Sequence, residues 1–190
     1  MSASKKDELI EKALDAFYMG GFQAVGMDRL AAETGISKTS MYKHFKTKED
    51  LIVEVLNLRD ENFRNWFVRR TEELASTPQE RLLAIYDALG EFFHEDNFRS
   101  CMFIRAASEY PDAGHQIYQA SAKHKRLLLA YVIGLCEQAG AHDPGQLARQ
   151  LMLLKEGAIV TAHMLGPDGV AANSKIAASA LIDNALIRAA

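Results

Sequence analysis

The most restrictive feature of this 190-residue sequence is a pair of very short helical patterns, residues 27–34 and 38–44, separated only by Gly35-Ile36-Ser37. Helices of roughly two turns are too short to stand alone in water, so they must fold against each other across that turn, as in a helix-turn-helix. Leu30, Ala31, Ile36, Met41 and Phe45 have the spacing of a small shared core. Gly35 suits the tight turn, and the Ser37 hydroxyl suits the cap of the second helix. Lys38, Thr39, Ser40, Tyr42, Lys43 and His44 are left for the outer surface. Hydroxyls, ammonium groups and a phenol are what a helix in a major groove uses on base edges and phosphate oxygens.

Charge separates two length scales. The whole chain carries a formal net charge of −3, which points away from nucleic acid. From Thr34 through Lys48, however, there are four lysines (Lys38, Lys43, Lys46 and Lys48) and no acid. Lys48 also falls in the first turn of the following helix, where unpaired N–H groups favour an anion. The plainer alternative is a solvated lysine face on a helical hairpin.

The remaining sequence is helical throughout. Apolar residues recur at helical spacing, as in Ile10, Ala13, Leu14 and Phe17, and nowhere is there sustained period-two alternation. Start signals stand at Thr47-Lys48-Glu49-Asp50, Thr77-Pro78-Gln79-Glu80 and Asp143-Pro144-Gly145-Gln146; stop signals stand at Gly20-Gly21, Gly35, Gly140 and Gly166-Pro167. The spacing predicts an all-α chain of about nine helices, near 5–19, 27–34, 38–44, 48–75, 78–95, 100–109, 114–139, 144–165 and 172–188. The helix 48–75 is long enough to link two domains, divided as 1–47 and 48–190.

Composition excludes several classes. With 48% hydrophobic and 25% charged residues the chain is an ordinary folded one, large enough for a core without staples. Cys101 and Cys136 lie far apart in apolar stretches and read as reduced, buried thiols. The polar start from Met1 to Ile10 and the short apolar runs predict no membrane segment and a cytoplasmic location. There is no His-Glu-x-x-His, no Cys/His ligand spacing, no Gly-rich phosphate loop and no Gly-x-Ser-x-Gly turn, which argues against an enzyme and gives no metal or cofactor to expect.

One run of residues resembles a known family. Leu9-Ile10-Glu11-Lys12-Ala13-Leu14-Asp15-Ala16-Phe17, Gly21-Phe22, Met27-Asp28-Arg29-Leu30-Ala31 and the continuous segment Gly35 to Leu51 resemble the N-terminal domain of TetR/AcrR-family transcriptional regulators. The resemblance implies a three-helix DNA-binding head, a helical effector-binding domain and a homodimer held by its last two helices. It also implies that Lys38, Thr39 and Ser40 face bases, that Tyr42, His44 and Lys48 face phosphates, and that Lys43 faces either. One departure is Val25-Gly26, where the family often has hydroxyl residues before the second helix. A backbone N–H must there replace a side-chain contact to phosphate. Phe98 to Asp112 is similar to one branch of the family without indicating a ligand.

Beyond residue 51 the sequence offers candidates for an effector cavity. Phe63, Trp66, Phe67, Phe93, Met102, Phe103 and Tyr131 are apolar or aromatic lining candidates, for which plain core is the alternative. Arg105, Lys155, Glu156 and His163 are polar groups in apolar helices, costly to bury without a partner. Met152, Glu156, Ile159 and His163 share one stripe; Leu147, Leu151, Leu154, Ala158 and Leu165 share another. One stripe is expected at the cavity and the other on a partner helix, with Glu156 and His163 as interface residues in the alternative. Helices 144–165 and 172–188, with Ile176, Ala180, Leu181, Ala185 and Leu186, carry more apolar surface than a monomer covers, which predicts a homodimer reading a palindrome. The expected function is a ligand-responsive repressor bound to double-stranded operator DNA and released by a small molecule. A helical enzyme and a dimeric binding protein that has kept its head without binding DNA are the alternatives.

Overall fold

The computed structural model describes residues 4–186, and among them every regular element is an α-helix. They are α1 (Lys5–Gly20), α2 (Met27–Thr34), α3 (Lys38–His44), α4 (Lys48–Leu74), α5 (Pro78–Phe93), α6 (Met102–Glu109), α7 (Gln116–Gln138), α8 (Pro144–Leu165) and α9 (Val170–Leu186). Several expected ends moved by one or two residues, among them the end of α5 and both ends of α7, and for α6 and α9 the local reason is visible. Ser100 adopts a left-handed φ of 68°, which holds α6 back until Met102. The turn at Gly169, with φ 73°, lets α9 start two residues early; residues 187–188 of its expected span lie outside the described residues.

Helix starts follow the capping chemistry. Thr77 and Glu80 form a reciprocal box, each side chain accepting from the other residue's backbone N–H, and Thr47 and Asp50 do the same at 3.1 Å in both directions. Asp143 accepts from the Gln146 N–H at 2.8 Å ahead of α8. Ser37 accepts from the Ser40 N–H at 3.3 Å, whereas Gly26 gives α2 no side-chain cap.

The chain divides into two compact units: residues up to Phe63 together with Met102–His124, and Arg64–Cys101 together with the chain from Lys125 onward. In the first, α1, α2 and α3 pack against one another around Leu9, Ala13, Phe17, Phe22, Leu30 and Met41, all fully buried. Phe17 stacks on Phe22 with centroids 5.4 Å apart. In the second, α5 and α8 both pack on α9. Gly90 makes the α5 and α9 approach possible, since a Cβ there would stand 3.0 Å from that of Ala171. Lys175 holds the same pair of helices through both carboxylate oxygens of Asp87, at 2.9 and 2.7 Å.

The faces of α8 differ from the sequence reading. Leu147, Leu151 and Ala158, with Lys155, Ile159 and Ala162, are turned inward. The exposed apolar stripe consists instead of Leu153, Val160, Met164 and Leu165, and Ile176 on α9 is 70% exposed. Packing of α8 on α5 and α9 uses the inward stripe and leaves the other uncovered. Cys136 is buried as expected, but Cys101 is part-exposed. Among the described residues no helix is long and apolar enough to cross a membrane, and no group of three or more His, Cys, Asp or Glu is placed to hold a metal.

Candidate nucleic-acid interface

The turn between α2 and α3 is built by Thr34, Gly35 and Ser37. The Thr34 hydroxyl donates to the Leu30 carbonyl at 2.7 Å and accepts from the Ile36 N–H at 3.2 Å, tying the last turn of α2 to the chain that leaves it. Gly35 then takes a left-handed conformation, φ 71° and ψ 9°, and its N–H closes on the Ala31 carbonyl. From α1, Lys12 donates to the Thr34 carbonyl at 2.8 Å, and Lys6 stands 5.5 Å over the Phe45 ring. Sequence reasoning missed Thr34 and both lysines. A threonine one residue before the turn glycine was the available signal, but the lysine partners are tertiary.

Within α3, Met41 is completely buried and Phe45 nearly so, which fixes the rotation of the helix. Thr39 and Lys43 each lie about 200° around the helix axis from Met41, so they point outward. Both are exposed; Ser40, about 100° from Met41, is part-exposed on a flank, and Lys38, Tyr42 and His44 are exposed on the flanks as well. Tyr42 is 51% exposed, which is unusual for a ring of that size and leaves the phenol available. Lys38 pairs with Asp28 at 2.8 Å on the surface, an exchangeable contact, and this holds its amine above the usual range through that hydrogen bond and the Asp28 charge. Lys46 is exposed, and Lys48 is part-exposed with its Nζ 3.4 Å from the Gln23 carbonyl. All eight expected residues therefore fall on α3 or on the segment running into α4, and no acid interrupts the run.

The effector candidates fall into two sets. In the first unit, Phe103 stacks flat on His124, centroids 3.6 Å apart, and Phe63 meets the same ring edge-on at 5.8 Å. Asp60 accepts from Nδ1 of His124 at 2.7 Å. His124 belongs to the buried run Ile117, Ser121, His124 and Leu128 of α7, a helical spacing that was visible and went unused. Met102 is buried nearby in sequence, while Arg105 donates to the Tyr18 carbonyl at 3.0 Å. In the second unit, Trp66 lies against Phe67 and Phe92, Phe93 against Phe98, and His163 meets the Phe98 ring edge-on although it is itself exposed. Tyr131 meets Phe67 edge-on at 6.3 Å, and its hydroxyl is enclosed with no hydrogen-bond partner. Burial pushes the Tyr131 phenol up, and the neighbouring Thr71 hydroxyl, which itself donates to the Phe67 carbonyl at 2.6 Å, lowers it in part as a hydrogen-bonding group. Glu156 is engaged by two lysines: Lys125 on Oε2 at 2.7 Å and Lys155 on Oε1 at 3.1 Å. Burial pushes the Glu156 carboxyl up, but the two ammonium groups outweigh it and hold it below the usual range.

Helices of this length, a left-handed glycine turn and an outward face of hydroxyl and basic groups define a helix-turn-helix DNA-binding head. Residues 9–55 match the family model described as "Bacterial regulatory proteins, tetR family". The HTH-type transcriptional regulator YjdC of Escherichia coli is 23% identical over 155 residues, covering 82% of this chain and 81% of that protein. The HTH-type transcriptional repressor KstR2 of Mycolicibacterium smegmatis is 34% identical over 89 residues, covering 45% of this chain and 42% of that protein. A TetR-family transcriptional regulator from Streptomyces coelicolor superimposes with a TM-score of 0.88 at 26% identity, over 95% of each chain. Residues 9–55 carry the DNA-binding domain of the bacterial tetR-family regulators, and over most of its length the chain is similar to TetR-family transcriptional regulators.

Proposed function

We propose that the chain is a homodimeric, ligand-responsive repressor that reads a palindromic operator through α3 and leaves it when a small molecule binds. The observation that carries this reading is the outward face of α3: Thr39 and Lys43 aimed away from Met41, flanked by Lys38, Ser40, Tyr42 and His44. In a groove Lys38, Thr39 and Ser40 meet base edges, Tyr42, His44 and Lys48 meet phosphates, Lys43 meets either, and Lys46 adds to the same basic run. Residues 1–47 read DNA in this scheme, and residues 48–190 sense the effector and dimerise.

Two further observations support the second half. Leu153, Val160, Met164 and Leu165 of α8 and Ile176 of α9 are exposed apolar side chains, and Leu153 also lines a groove of about 570 Å³ between the two helices that is lined mostly by apolar atoms. A second copy related by a two-fold axis covers such a face with its own and sets the half-sites about a helical turn of DNA, or a multiple, apart. The enclosed hydroxyl of Tyr131, whose ring meets Phe67 edge-on, suits a polar group of an apolar effector. An effector that binds the DNA-free state better shifts the population by that difference in affinity. Repression is the sign of regulation of KstR2, a transcriptional repressor that resembles this chain in sequence.

The test is fluorescence anisotropy with DNA flanking the chain's own gene, over a salt series, followed by a promoter reporter. Sequence-selective binding that weakens steeply with salt is expected. Absence of any such binding overturns the reading, and a reporter that rises with the protein reverses the sign of regulation.

A further inference from the structure

Lys38, the first residue of α3, does not stand alone on the reading face. Its Nζ lies 2.8 Å from Oδ1 of Asp28, in the first turn of α2, so the fold brings an acid back to the edge of a run that contains none from Thr34 through Lys48. The Asp28 side chain is 90% exposed, and an ion pair so open to water adds little to stability. Its consequence is positional: whatever the Lys38 amine touches has a carboxylate one hydrogen bond away. The ammonium keeps two of its three N–H donors beyond the contact with Asp28, and the carboxylate, an acceptor only, keeps its second oxygen.

A recognition helix reaches base edges with its N-terminal residues, which is where Lys38 stands. A phosphate in front of Lys38 would also face the Asp28 charge, and that like-charge approach disfavours such a docking. A base pair satisfies both groups when it offers two adjacent acceptors with an amino group beside them. In G·C, guanine N7 and O6 are adjacent and the cytosine N4 amino group lies next to O6; in A·T the adenine amino group lies between N7 and the thymine O4. The N4–H···O6 bond within the pair spans about 2.9 Å, close to the separation of Lys38 Nζ and Asp28 Oδ1. We propose that Asp28 and Lys38 read one G·C pair in each half-site as a unit, the amine donating to guanine O6 and N7 and the carboxylate accepting from cytosine N4. The proposal rests on α3 entering the major groove, and it adds a residue of the preceding helix as a determinant of sequence. Without the acid, Lys38 is free for any acceptor, phosphate included, so Asp28 narrows what Lys38 binds.

The experiment presents the full chain with duplexes of randomised central sequence and sequences the bound fraction, for wild type, Asp28→Ala and Lys38→Ala. Wild type should enrich G·C at one position of each half-site, preferred over A·T there by about tenfold or more. Each substitution should reduce that preference to about twofold or less at the same position and leave the other positions unchanged. Anisotropy should show Asp28→Ala binding a scrambled duplex at least as tightly as wild type does, since a charge that repels phosphates is gone. A carboxylate that only steadies the N-terminus of α2 through the helix dipole would, on removal, lower the melting temperature and weaken every sequence alike, and that pattern overturns the proposal. Unchanged selection by Asp28→Ala, relaxation at different positions in the two variants, or an A·T pair at the shared position overturns it as well. Enrichment of no sequence by wild type overturns the DNA-reading role itself, and so is told apart from failure of the Asp28 assignment alone.

Discussion

Lys12 of α1 donates to the carbonyl oxygen of Thr34, the last residue of α2, at 2.8 Å. That carbonyl lies at a helix C-terminus, where a cation pairs both with an orphan acceptor and with the negative end of the helix dipole. Lys12 also pairs with Glu8 at 2.8 Å, but that contact is surface-exposed and worth little. Lys12→Met should therefore destabilise the head by about 1 kcal/mol, read as a lowered urea midpoint. Glu8→Gln should change it far less, and equal effects of the two substitutions would show that the bond to Thr34 does not matter.

Gly35 gives a second test of the same turn. A Cβ added there meets nothing within 4 Å, so any cost of Gly35→Ala comes from its φ of +71° alone. The expected loss is about 1 kcal/mol, and Gly35→Asn, which tolerates the left-handed region, should recover part of it. Calorimetric melts of the three chains decide this. An alanine variant as stable as wild type would contradict the turn geometry.

The Asp60–His124 pair, at 2.7 Å and with both side chains nearly buried, predicts a larger effect. Removing the carboxylate takes from the buried His124 ring the acceptor that Nδ1 has at 2.7 Å. Asp60→Ala should cost about 3 kcal/mol, whereas Asp60→Asn, which keeps an acceptor for Nδ1, should cost clearly less. Denaturant melts give the ranking, and the histidine tautomer is read by nitrogen NMR. A finding that Asn is no better than Ala would sink the role given to the acceptor.

Glu156 sets a pH dependence. Its carboxyl lies below the usual range in the folded chain because Lys155 and Lys125 outweigh burial. Above the usual carboxylate range both folded and unfolded chains are ionised and the pairing contributes in full. As the pH falls from there toward the folded value, the unfolded chain takes up the proton first and stability drops. Glu156→Gln should be less stable at neutral pH and should lose less on acidification between about pH 6 and pH 3. Parallel pH profiles for the two chains would contradict the pairing.

Much of the head was legible because its determinants are local. Gly35, Ser37 and the Met41 and Phe45 spacing specify turn, cap and helix rotation within a dozen residues, and the structure keeps all four roles. Helix starts at Thr47, Thr77 and Asp143 were legible for the same reason. What was not legible depends on partners distant in sequence. The Asp60–His124 bond spans 64 residues and the Lys125–Glu156 pair 31, and no helical periodicity names the far member. The stripes of α8 were misassigned because its periodicity is apolar on several faces. Only packing on α5 and α9 decides that Leu151 turns inward and Leu153 outward.

That uncovered stripe leads to the last prediction. Leu153, 74% exposed, projects from the middle of α8, so a charge there hardly disturbs the isolated chain. If two copies pair through α8 and α9, Leu153→Arg places two like charges in the shared interface without a partner for either. The variant should sediment as a monomer at concentrations where wild type is a dimer, with an unchanged helical signal. Operator affinity should fall by orders of magnitude, since a single α3 contacts only one half-site. A salt series separates this from damage to the head. The variant should keep weak non-specific binding but with roughly half the wild-type salt slope, because one head neutralises about half as many phosphates. A dimeric Leu153→Arg chain with wild-type operator affinity would place the interface elsewhere.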